Sequence, residues 1–325
     1  MPDIAVMRDV YRTYLLSRRI ENQPEGLYHP VNYIMNLGGK HIRATFLLLG
    51  YTLYQQEVSD VAKSSAYAME LFHNFSLVHD DIMDNADTRR GQPSVHTAFG
   101  INSGILSGDA MLILVYEELL KIPDPNARHQ ALTLFTKTAK EVCEGQQYDI
   151  DFESREDVSI EDYLLMIKLK TAVLLACSLQ VGAILGGAPQ EDAERLYAFG
   201  IHIGLSFQIQ DDLLDTYGEK AKVGKMIGGD IQQRKKTILY LTALQNLKDN
   251  KASFKVLYNS NLPIEDKLPK VIDMMDSCDT KQKITNLKDT YLKSALEELD
   301  KVDAPHFSVK KELEELAKFI IQRVQ

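Results

Sequence analysis

Apolar residues recur every three or four positions through most of the 325-residue sequence, and this period constrains the fold more than any other feature. Such a spacing places the apolar side chains on one face of an α-helix. Segments in which apolar and polar residues alternate, as on a half-buried β-strand, are hard to find at useful length. The period therefore predicts an all-α protein.

Short stretches rich in Gly, Pro, Asp and Asn interrupt the helical pattern, as expected of helix ends and turns. Long helices with short connections are typical of a helical bundle. Neither a flexible linker nor a repeat of fixed period is evident, so residues 1–325 are expected to form a single domain. The interruptions lie at residues 36–41, 121–128, 151–159, 186–192, 216–230, 259–266 and 302–308.

The charge balance excludes one class of partner. The sequence carries 37 Lys and Arg against 46 Asp and Glu, a formal net charge of −9. Nonspecific attraction to nucleic acid or to an anionic membrane is therefore disfavoured. Any anionic ligand has to be held by local clusters of basic residues.

Three features favour a cytoplasmic protein without a stable membrane anchor. The cysteines at 143, 177 and 278 include no CxxC pair, which suggests neither a disulfide framework nor a zinc site. The first residues lack the apolar region of a secretory signal. The apolar stretch 171–188 approaches the length of a membrane span, but Ser178, Gln180 and its Gly-Gly end favour a buried core helix.

The stretch "HDDIMDNADTRRG" (79–91) places Asp80 and Asp84 four residues apart, on one face of a helix. Like charges at that spacing repel each other, so a cation between them is expected. Carboxylates without cysteine or a histidine cluster favour a hard ion such as Mg²⁺. Taken alone, the stretch is equally compatible with a solvated acidic helix end.

A second copy of the motif favours the metal site. "DDLLD" (211–215) gives Asp211 and Asp215 the spacing of Asp80 and Asp84, again at the end of an apolar helical run. Two such motifs would be costly to bury without metal. Mg²⁺ binds through a few carboxylates together with substrate phosphates, so the expected ligand is a polyanion such as a diphosphate.

Basic residues stand beside the helix breaks, where phosphate groups are commonly held. Any one of them alone is typical of an ordinary surface cation, but their shared position suggests a second anionic group that is bound without metal. A diphosphate on Mg²⁺ is also a good leaving group, so no nucleophilic Ser or Cys is needed. These residues, with the adjacent Thr171, are Lys40, Arg43, Arg89, Arg90, Lys170, Lys225, Lys235 and Lys236.

At this point the sequence resembles the trans-isoprenyl diphosphate synthase (polyprenyl synthetase) family, of the short-chain farnesyl or geranylgeranyl type, over essentially the whole chain. The resemblance implies a helical bundle around a deep central cavity, and a homodimer. It is carried, in this order, by "GGKHIR", "HNFSLVHDDIMDNADTRRGQPSVH", "KT" at 170, "FQIQDDLLD" and "GKMIGGDIQQRKKT".

The resemblance also implies roles for individual residues. Asp80, Asp84 and nearby Asp81 would bind Mg²⁺ on an allylic diphosphate, and Asp211 and Asp215 would hold a third ion from the opposite side. The allylic diphosphate would contact Arg89, Lys170, Lys225 and Lys235. Isopentenyl diphosphate would be held without metal by Lys40, Arg43, His73 and Arg90. Thr171 and Gln208 would present oxygen atoms to the developing carbocation.

The implied reaction joins isopentenyl diphosphate head-to-tail to dimethylallyl, geranyl or farnesyl diphosphate. Phe75 precedes Asp80 by five residues, about 7.5 Å along a helix, where related enzymes place a floor for the growing chain. With small Ser76 beside it and Phe72 as a possible second barrier, a C15 or C20 product is expected. Ordinary core packing is the alternative role of Phe75.

Two other functions remain open. A type I terpene cyclase also uses aspartate-rich helices and Mg²⁺, but it has no need of Lys40, Arg43 and Arg90 for isopentenyl diphosphate. A noncatalytic subunit of a heteromeric synthase is expected to lose aspartates, and both motifs are intact here.

Overall fold

The computed structural model describes residues 4–218 and 227–321, which are helical almost throughout. The all-α prediction is confirmed. The helices are α1 (Ile4–Leu16), α2 (Glu25–Asn36), α3 (Ile42–Thr52), α4 (Asp60–Met83), α5 (Val95–Phe99), α6 (Ile101–Leu120), α7 (Pro125–Ser154), α8 (Ile160–Ile167), a π-helical turn (Lys168–Ala172), α9 (Val173–Gly186), α10 (Gln190–Tyr217), α11 (Gly229–Gln232), α12 (Ile238–Asn246), a 3₁₀ turn (Lys248–Asn250), α13 (Lys251–Tyr258), α14 (Ile264–Asp276), α15 (Thr280–Asp300) and α16 (Phe307–Ile321).

Each predicted interruption coincides with a helix end. For example, α2 ends at Asn36 and α3 begins at Ile42, and α7 and α8 are separated between Ser154 and Ile160. The period did not predict a small antiparallel hairpin, β1 (Thr88–Arg89) and β2 (Gln92–Pro93), directly after α4. Two-residue strands are too short to leave an alternating pattern in the sequence.

The chain divides into two compact units, each assembled from segments that are distant in sequence. Unit 1 comprises Met1–Lys137, Cys177–Tyr197 and Val302–Leu313. Unit 2 comprises Thr138–Ala176, Ala198–Lys301 and Glu314–Gln325. A single functional domain over residues 1–325 stays a prediction.

In unit 1, α4 packs most extensively against α6 and next against α3. Ser59 caps the first turn of α4 by accepting a hydrogen bond from the Ala62 amide. Glycines bring α3 and α9 into backbone contact, because a Cβ at Gly182 would lie 2.0 Å from the Leu47 carbonyl oxygen. Helix α4 is therefore packed against both α3 and α6.

In unit 2, a capping box of Ser159 and Asp162 starts α8, which continues directly into the π-helical turn. A Cβ added at Gly200 or Gly204 of α10 would lie 2.5 Å from a backbone atom of Ala176 or Ala172. This close approach holds α10 against the π-helical turn and the start of α9. One consequence is that the side chains of α10 reach those of the turn.

Within the described residues, one helical stretch, Ile160–Gly186, is long and apolar enough to cross a membrane. Of its most apolar window, 67% is buried inside the protein. A core helix of a soluble protein passes the same test, and this burial agrees with the interpretation of 171–188 as a core helix.

Candidate active site

The first acidic motif lies at the C-terminal end of α4. Asp84 caps the helix, and its amide donates to the Asp80 carbonyl at 2.8 Å. Asp80 is half-buried and Asp84 is exposed, one helical turn apart as predicted. Asp81 is fully buried and accepts hydrogen bonds from Arg89 Nε at 3.0 and 3.2 Å. The assignment of Asp81 to a metal ion stays a prediction.

The hairpin after α4 explains why two arginines follow the aspartates. Its two-residue loop, Arg90-Gly91, has positive φ angles of 54° and 76°, as in a type I′ turn. Arg89 in β1 is thereby directed back to Asp81. Arg90 at the turn reaches the Gly38 carbonyl oxygen in the loop before α3.

A second group of unit 1 residues concentrates positive charge around the buried Glu70. His41 Nδ1 lies 3.6 Å from Glu70 Oε2, and the Ala44 amide donates to Glu70 Oε1 at 3.2 Å. The charges of Arg43 and Arg90 both act on Glu70, on His73 and on each other. We call Arg43, His73, Arg90 and Glu70 the direct anion cluster.

In this cluster the positively charged groups outnumber the single carboxylate, and the pKa values reflect this imbalance. Burial opposes ionisation of Glu70, but the His41 hydrogen bond and the charges of His73 and Arg43 lower its pKa to about 2. Burial lowers the pKa of Arg43 to about 10, with Glu70 acting against it and Arg90 adding to it. Burial also lowers the pKa of His73, and Arg43 adds to this effect. Two guanidinium groups share one carboxylate, an arrangement that suits an incoming anion.

Two residues around the direct anion cluster, Glu70 and His41, were not predicted from the sequence pattern. Glu70 lies three residues before His73, on the same side of α4, and that spacing is the signal that could have revealed it. His41 faces Glu70 from the start of α3, where its φ of 46° is left-handed. Lys40 beside it is exposed.

The second acidic motif ends α10 in unit 2. Asp211 is exposed and Asp215 is half-buried, whereas Asp212 is only 3% exposed. Asp215 accepts hydrogen bonds at two atoms: its carboxylate from the Asp230 amide at 3.1 Å, and its carbonyl from the Gly228 amide at 2.7 Å. The segment that contains Gly228 and Asp230 is therefore hydrogen-bonded to Asp215.

Asp230 is a further carboxylate at this site, and sequence analysis missed it. Burial raises its pKa to about 6, and the charge of Asp215 adds to this effect, with Asp211 and Asp149 contributing less. Lys235 opposes the shift, and its amide donates to the Asp230 carbonyl at 2.9 Å. The position of Asp230 in "GGDIQQRKK", beside the predicted phosphate-binding lysines, is the signal that could have revealed this carboxylate.

The π-helical turn presents the next two predicted residues. Lys170 Nζ lies 2.6 Å from Asp149 Oδ2 of α7, and Thr171 Oγ1 donates to Gln208 Oε1 of α10 at 3.4 Å. π-Helical turns are common at functional sites. Lys236 lies to one side and donates to the Phe152 carbonyl at 2.7 Å, so it supports the end of α7. Lys225 lies outside the described residues.

The candidate chain-length residues lie in an aromatic row in unit 1. Phe75 is 8% exposed, and its ring is 4.9 Å from the His79 ring, beside Asp80. Phe72 is fully buried, 5.4 Å from Phe75 and 5.1 Å from Phe135. The Ser76 hydroxyl donates to the His73 carbonyl. The row begins next to the first acidic motif.

Similarity to known proteins covers both motifs. The sequence model of the family described as Polyprenyl synthetase matches residues 24–275. A short chain isoprenyl diphosphate synthase from Methanocaldococcus jannaschii is 39% identical over 247 residues, which cover 75% of each chain. A geranylgeranyl diphosphate synthase from Methanosarcina mazei is 34% identical over 303 residues, covering 93% of this chain and 91% of that protein.

A solved structure shares the fold. The crystal structure of a geranylgeranyl pyrophosphate synthase matches this chain with a TM-score of 0.94 at 39% sequence identity. The match covers 99% of both chains. The helical architecture is therefore common to the two proteins.

Proposed function

Since this chain belongs to the polyprenyl synthetase family, we propose that it condenses isopentenyl diphosphate with an allylic diphosphate to make a short all-trans prenyl diphosphate. Prenyltransferase activity follows from the family. The allylic substrate is dimethylallyl, geranyl or farnesyl diphosphate in this proposal.

One observation carries the proposal: unit 1 contains two unlike arrangements for holding an anion. Asp80 and Asp84 at the end of α4 suit a diphosphate bound through cations. The direct anion cluster suits a diphosphate bound by Arg43, His73 and Arg90 themselves. A condensation of two diphosphates needs both arrangements, whereas a cyclase acting on one diphosphate needs only the first.

The donor set fits Mg²⁺. Asp80 and Asp84, with Asp211 and Asp215, would hold the ions, three in number by the family resemblance. In unit 2, the pKa of Asp230 is raised by burial and by the charge of Asp215, a repulsion that a cation would relieve. Within the described residues, no three His, Cys, Asp or Glu side chains group tightly enough to hold an ion. Mg²⁺ bound by the aspartates would take its other ligands from water and substrate phosphates.

The chain's own residues have separate tasks. Arg89, Lys170, Lys225 and Lys235 would hold the allylic diphosphate, and bound Mg²⁺ would stabilise the charge that develops on its oxygens as the C–O bond ionises. Lys40, Arg43, His73 and Arg90 would hold isopentenyl diphosphate with its double bond toward the cation. Thr171 and Gln208 would present oxygen dipoles to that cation. The proton lost afterwards would pass to the departing diphosphate.

We further propose that Phe75 limits the product to C15 or C20, with Phe72 behind it. The support is the position of the aromatic row, which begins beside Asp80 and is closed by buried rings. A phenylalanine at this point fills the space into which a longer chain would extend.

We also propose a homodimer in the cytoplasm. Leu106, Ile113 and Leu120 on α6 are 59%, 59% and 55% exposed, and a spacing of seven residues places them on one face. A row of exposed apolar side chains is typical of an interaction surface. No disulfide joins the three cysteines, all of which are described.

The test is an assay of the purified protein with Mg²⁺, radiolabelled isopentenyl diphosphate and each allylic primer in turn. We expect a labelled C15 or C20 diphosphate, and no turnover after chelation of Mg²⁺ with EDTA. Turnover of the allylic primer alone, with release of diphosphate, would favour a cyclase. Absence of turnover with every primer would favour a noncatalytic subunit.

Whether the two acidic motifs act on one substrate is tested by a double-mutant cycle of Asp84→Asn and Asp215→Asn. Residues that act as a unit lose activity non-additively. We expect the double variant to be little worse than the poorer single variant. Fully multiplicative losses would mean that the motifs work independently.

A further inference from the structure

Four side chains of unit 2 form a continuous row of hydrogen bonds, which we call the Tyr163 row. Tyr163 of α8 donates its hydroxyl proton to Asp212 Oδ2 at 2.5 Å. Gln208 Nε2 donates to Asp212 Oδ1 at 3.4 Å, and Thr171 Oγ1 donates to Gln208 Oε1 at 3.4 Å. The two longer contacts are typical of catalytic hydrogen bonds before substrate binds. The row connects the protein interior to the oxygen atoms that face the proposed carbocation.

Asp212 differs from the other aspartates of its motif. It is 3% exposed, whereas Asp211 is exposed, because adjacent residues on α10 point about 100° apart. Its two carboxylate oxygens are occupied by Tyr163 and Gln208. A buried carboxylate is costly unless donors surround it. Those two partners fix the orientation of its carboxyl group.

An amide side chain has a donor end and an acceptor end, and a half-turn exchanges them. Asp212 accepts hydrogen bonds, so it retains the NH₂ end of Gln208 and leaves the oxygen end toward Thr171. Asp212 can do this only while its own carboxylate is held in place. Among the described residues, Tyr163 is the other side chain that donates a hydrogen bond to Asp212.

We propose that Tyr163 is a positioning residue for prenyl transfer, which acts through Asp212 to keep the amide oxygen of Gln208 directed at Thr171. This inference rests on the proposed function. A dipole that is already oriented stabilises a developing charge without reorganisation during the reaction. Loss of the Tyr163 hydroxyl lets Asp212 and Gln208 rotate, so the ionisation step slows while binding of both diphosphates is retained.

The first test is Tyr163→Phe, which removes one oxygen atom and keeps the buried ring. We expect kcat to fall about tenfold, as for the loss of one buried hydrogen bond. The KM values for isopentenyl and allylic diphosphate should stay within about twofold. An unchanged kcat in the folded variant would overturn the proposal.

The matched control is Tyr54→Phe in unit 1, which also removes a hydroxyl that donates to a carboxylate, that of Asp192, at 3.0 Å. Neither Tyr54 nor Asp192 belongs to an acidic motif, so the kcat of the Tyr54→Phe variant should equal that of the unsubstituted enzyme. A loss of kcat equal to that of Tyr163→Phe would show that any such deletion impairs the enzyme, and would overturn the specific role of Tyr163.

A double-mutant cycle separates positioning from general packing. In a Gln208→Leu background there is no amide left to orient, so adding Tyr163→Phe should change kcat less than twofold. A further tenfold loss in that background would mean that Tyr163 acts independently of Gln208, and would overturn the proposal.

Asp212→Leu provides a second route through a branched side chain without polar atoms, in case Tyr163→Phe folds poorly. The substitution removes both carboxylate oxygens, so neither Tyr163 nor Gln208 keeps its acceptor. We expect a fall in kcat at least as large as for Tyr163→Phe, and normal kcat would overturn the proposal. If the unsubstituted protein shows no turnover with any primer, the proposed function itself fails. If the unsubstituted protein is active and the variants have the same kcat, only the positioning role of Tyr163 fails.

Discussion

Glu70 is the residue on which the direct anion cluster depends for stability. It lies beside Arg43, His41 and His73 in a buried position, and its charge balances that of Arg43. Glu70→Gln leaves Arg43 without this counter-charge, which typically costs about 3–5 kcal/mol for a buried pair. Urea unfolding should show this loss. The control Glu117→Gln, at an exposed position of α6, should change stability by less than about 0.5 kcal/mol.

The same carboxylate predicts a pH dependence. Its pKa is about 2 in the folded protein against 4.5 as the ordinary value, so its ionised form stabilises the fold above about pH 4.5. That contribution is lost as the pH falls toward 2. The difference in unfolding free energy between the unsubstituted protein and Glu70→Gln should therefore be constant at neutral pH and shrink on acidification. A difference that grows on acidification would contradict this assignment.

Phe75 is the residue whose size sets the product length in our proposal. Phe75→Ala opens space beside Asp80, so the radiolabelled products should shift beyond C20. Phe254→Ala, in the buried aromatic group with Tyr240 and Tyr258, creates a comparable cavity in unit 2 and should leave the product length unchanged. Products of unchanged length from Phe75→Ala would assign Phe75 to core packing.

At the scale of elements, the contact of α7 with the π-helical turn holds Lys170 in place. A Cβ at Gly145 would lie 2.3 Å from the Lys170 amide nitrogen, so Gly145→Ala has to separate the two segments. We expect a loss of about 1–3 kcal/mol in stability and a large fall in kcat. Gly26→Ala in α2 is the control, because nothing lies within 4 Å of its added Cβ. It should be neutral or stabilise the protein by up to about 1 kcal/mol.

The sequence predicted the elements better than the contacts between them. Helix ends are encoded locally by Gly, Pro and Asp, and for that reason the breaks at 36–41 and 151–159 were placed correctly. The turn at Arg90-Gly91 lacks the Asn-Gly signal of a type I′ hairpin, and Glu70 stands inside an otherwise apolar helical run. Their positions depend on tertiary packing, which leaves no local pattern.

The candidate site shows the same division. The spacing of four predicted that Asp80 and Asp84 lie one helical turn apart, and the Asp84 amide donates to the Asp80 carbonyl accordingly. The sequence could not distinguish Asp211 from Asp212, because two adjacent aspartates differ only in the side chains that they contact in the folded protein. Packing of α8 against α10 decides that Asp212 is buried against Tyr163. The π-helical turn was equally hidden, since one extra residue barely alters the period of an apolar helix.

At the scale of the whole molecule, the exposed face of α6 predicts the oligomeric state. Ile113→Glu places a charge in the middle of the row formed with Leu106 and Leu120, and should convert a dimer to monomers. Size-exclusion chromatography with light scattering measures the mass directly. Val256→Glu replaces an isolated apolar residue that is 73% exposed, and should leave the mass unchanged. A monomeric unsubstituted protein would contradict the homodimer.

The widened turn at Lys168–Ala172 sets a limit on shortening this chain. Removing one residue there would let the backbone close into a regular α-helix, so the altered polypeptide could gain local regularity. The side chains within the turn would then change direction, because residues of an α-helix are spaced by about 100° and those of a π-helical turn by less. Lys170 and Thr171 belong to the turn, so they could no longer meet Asp149 and Gln208 together. A well-folded but inert protein is the expected product of such a deletion.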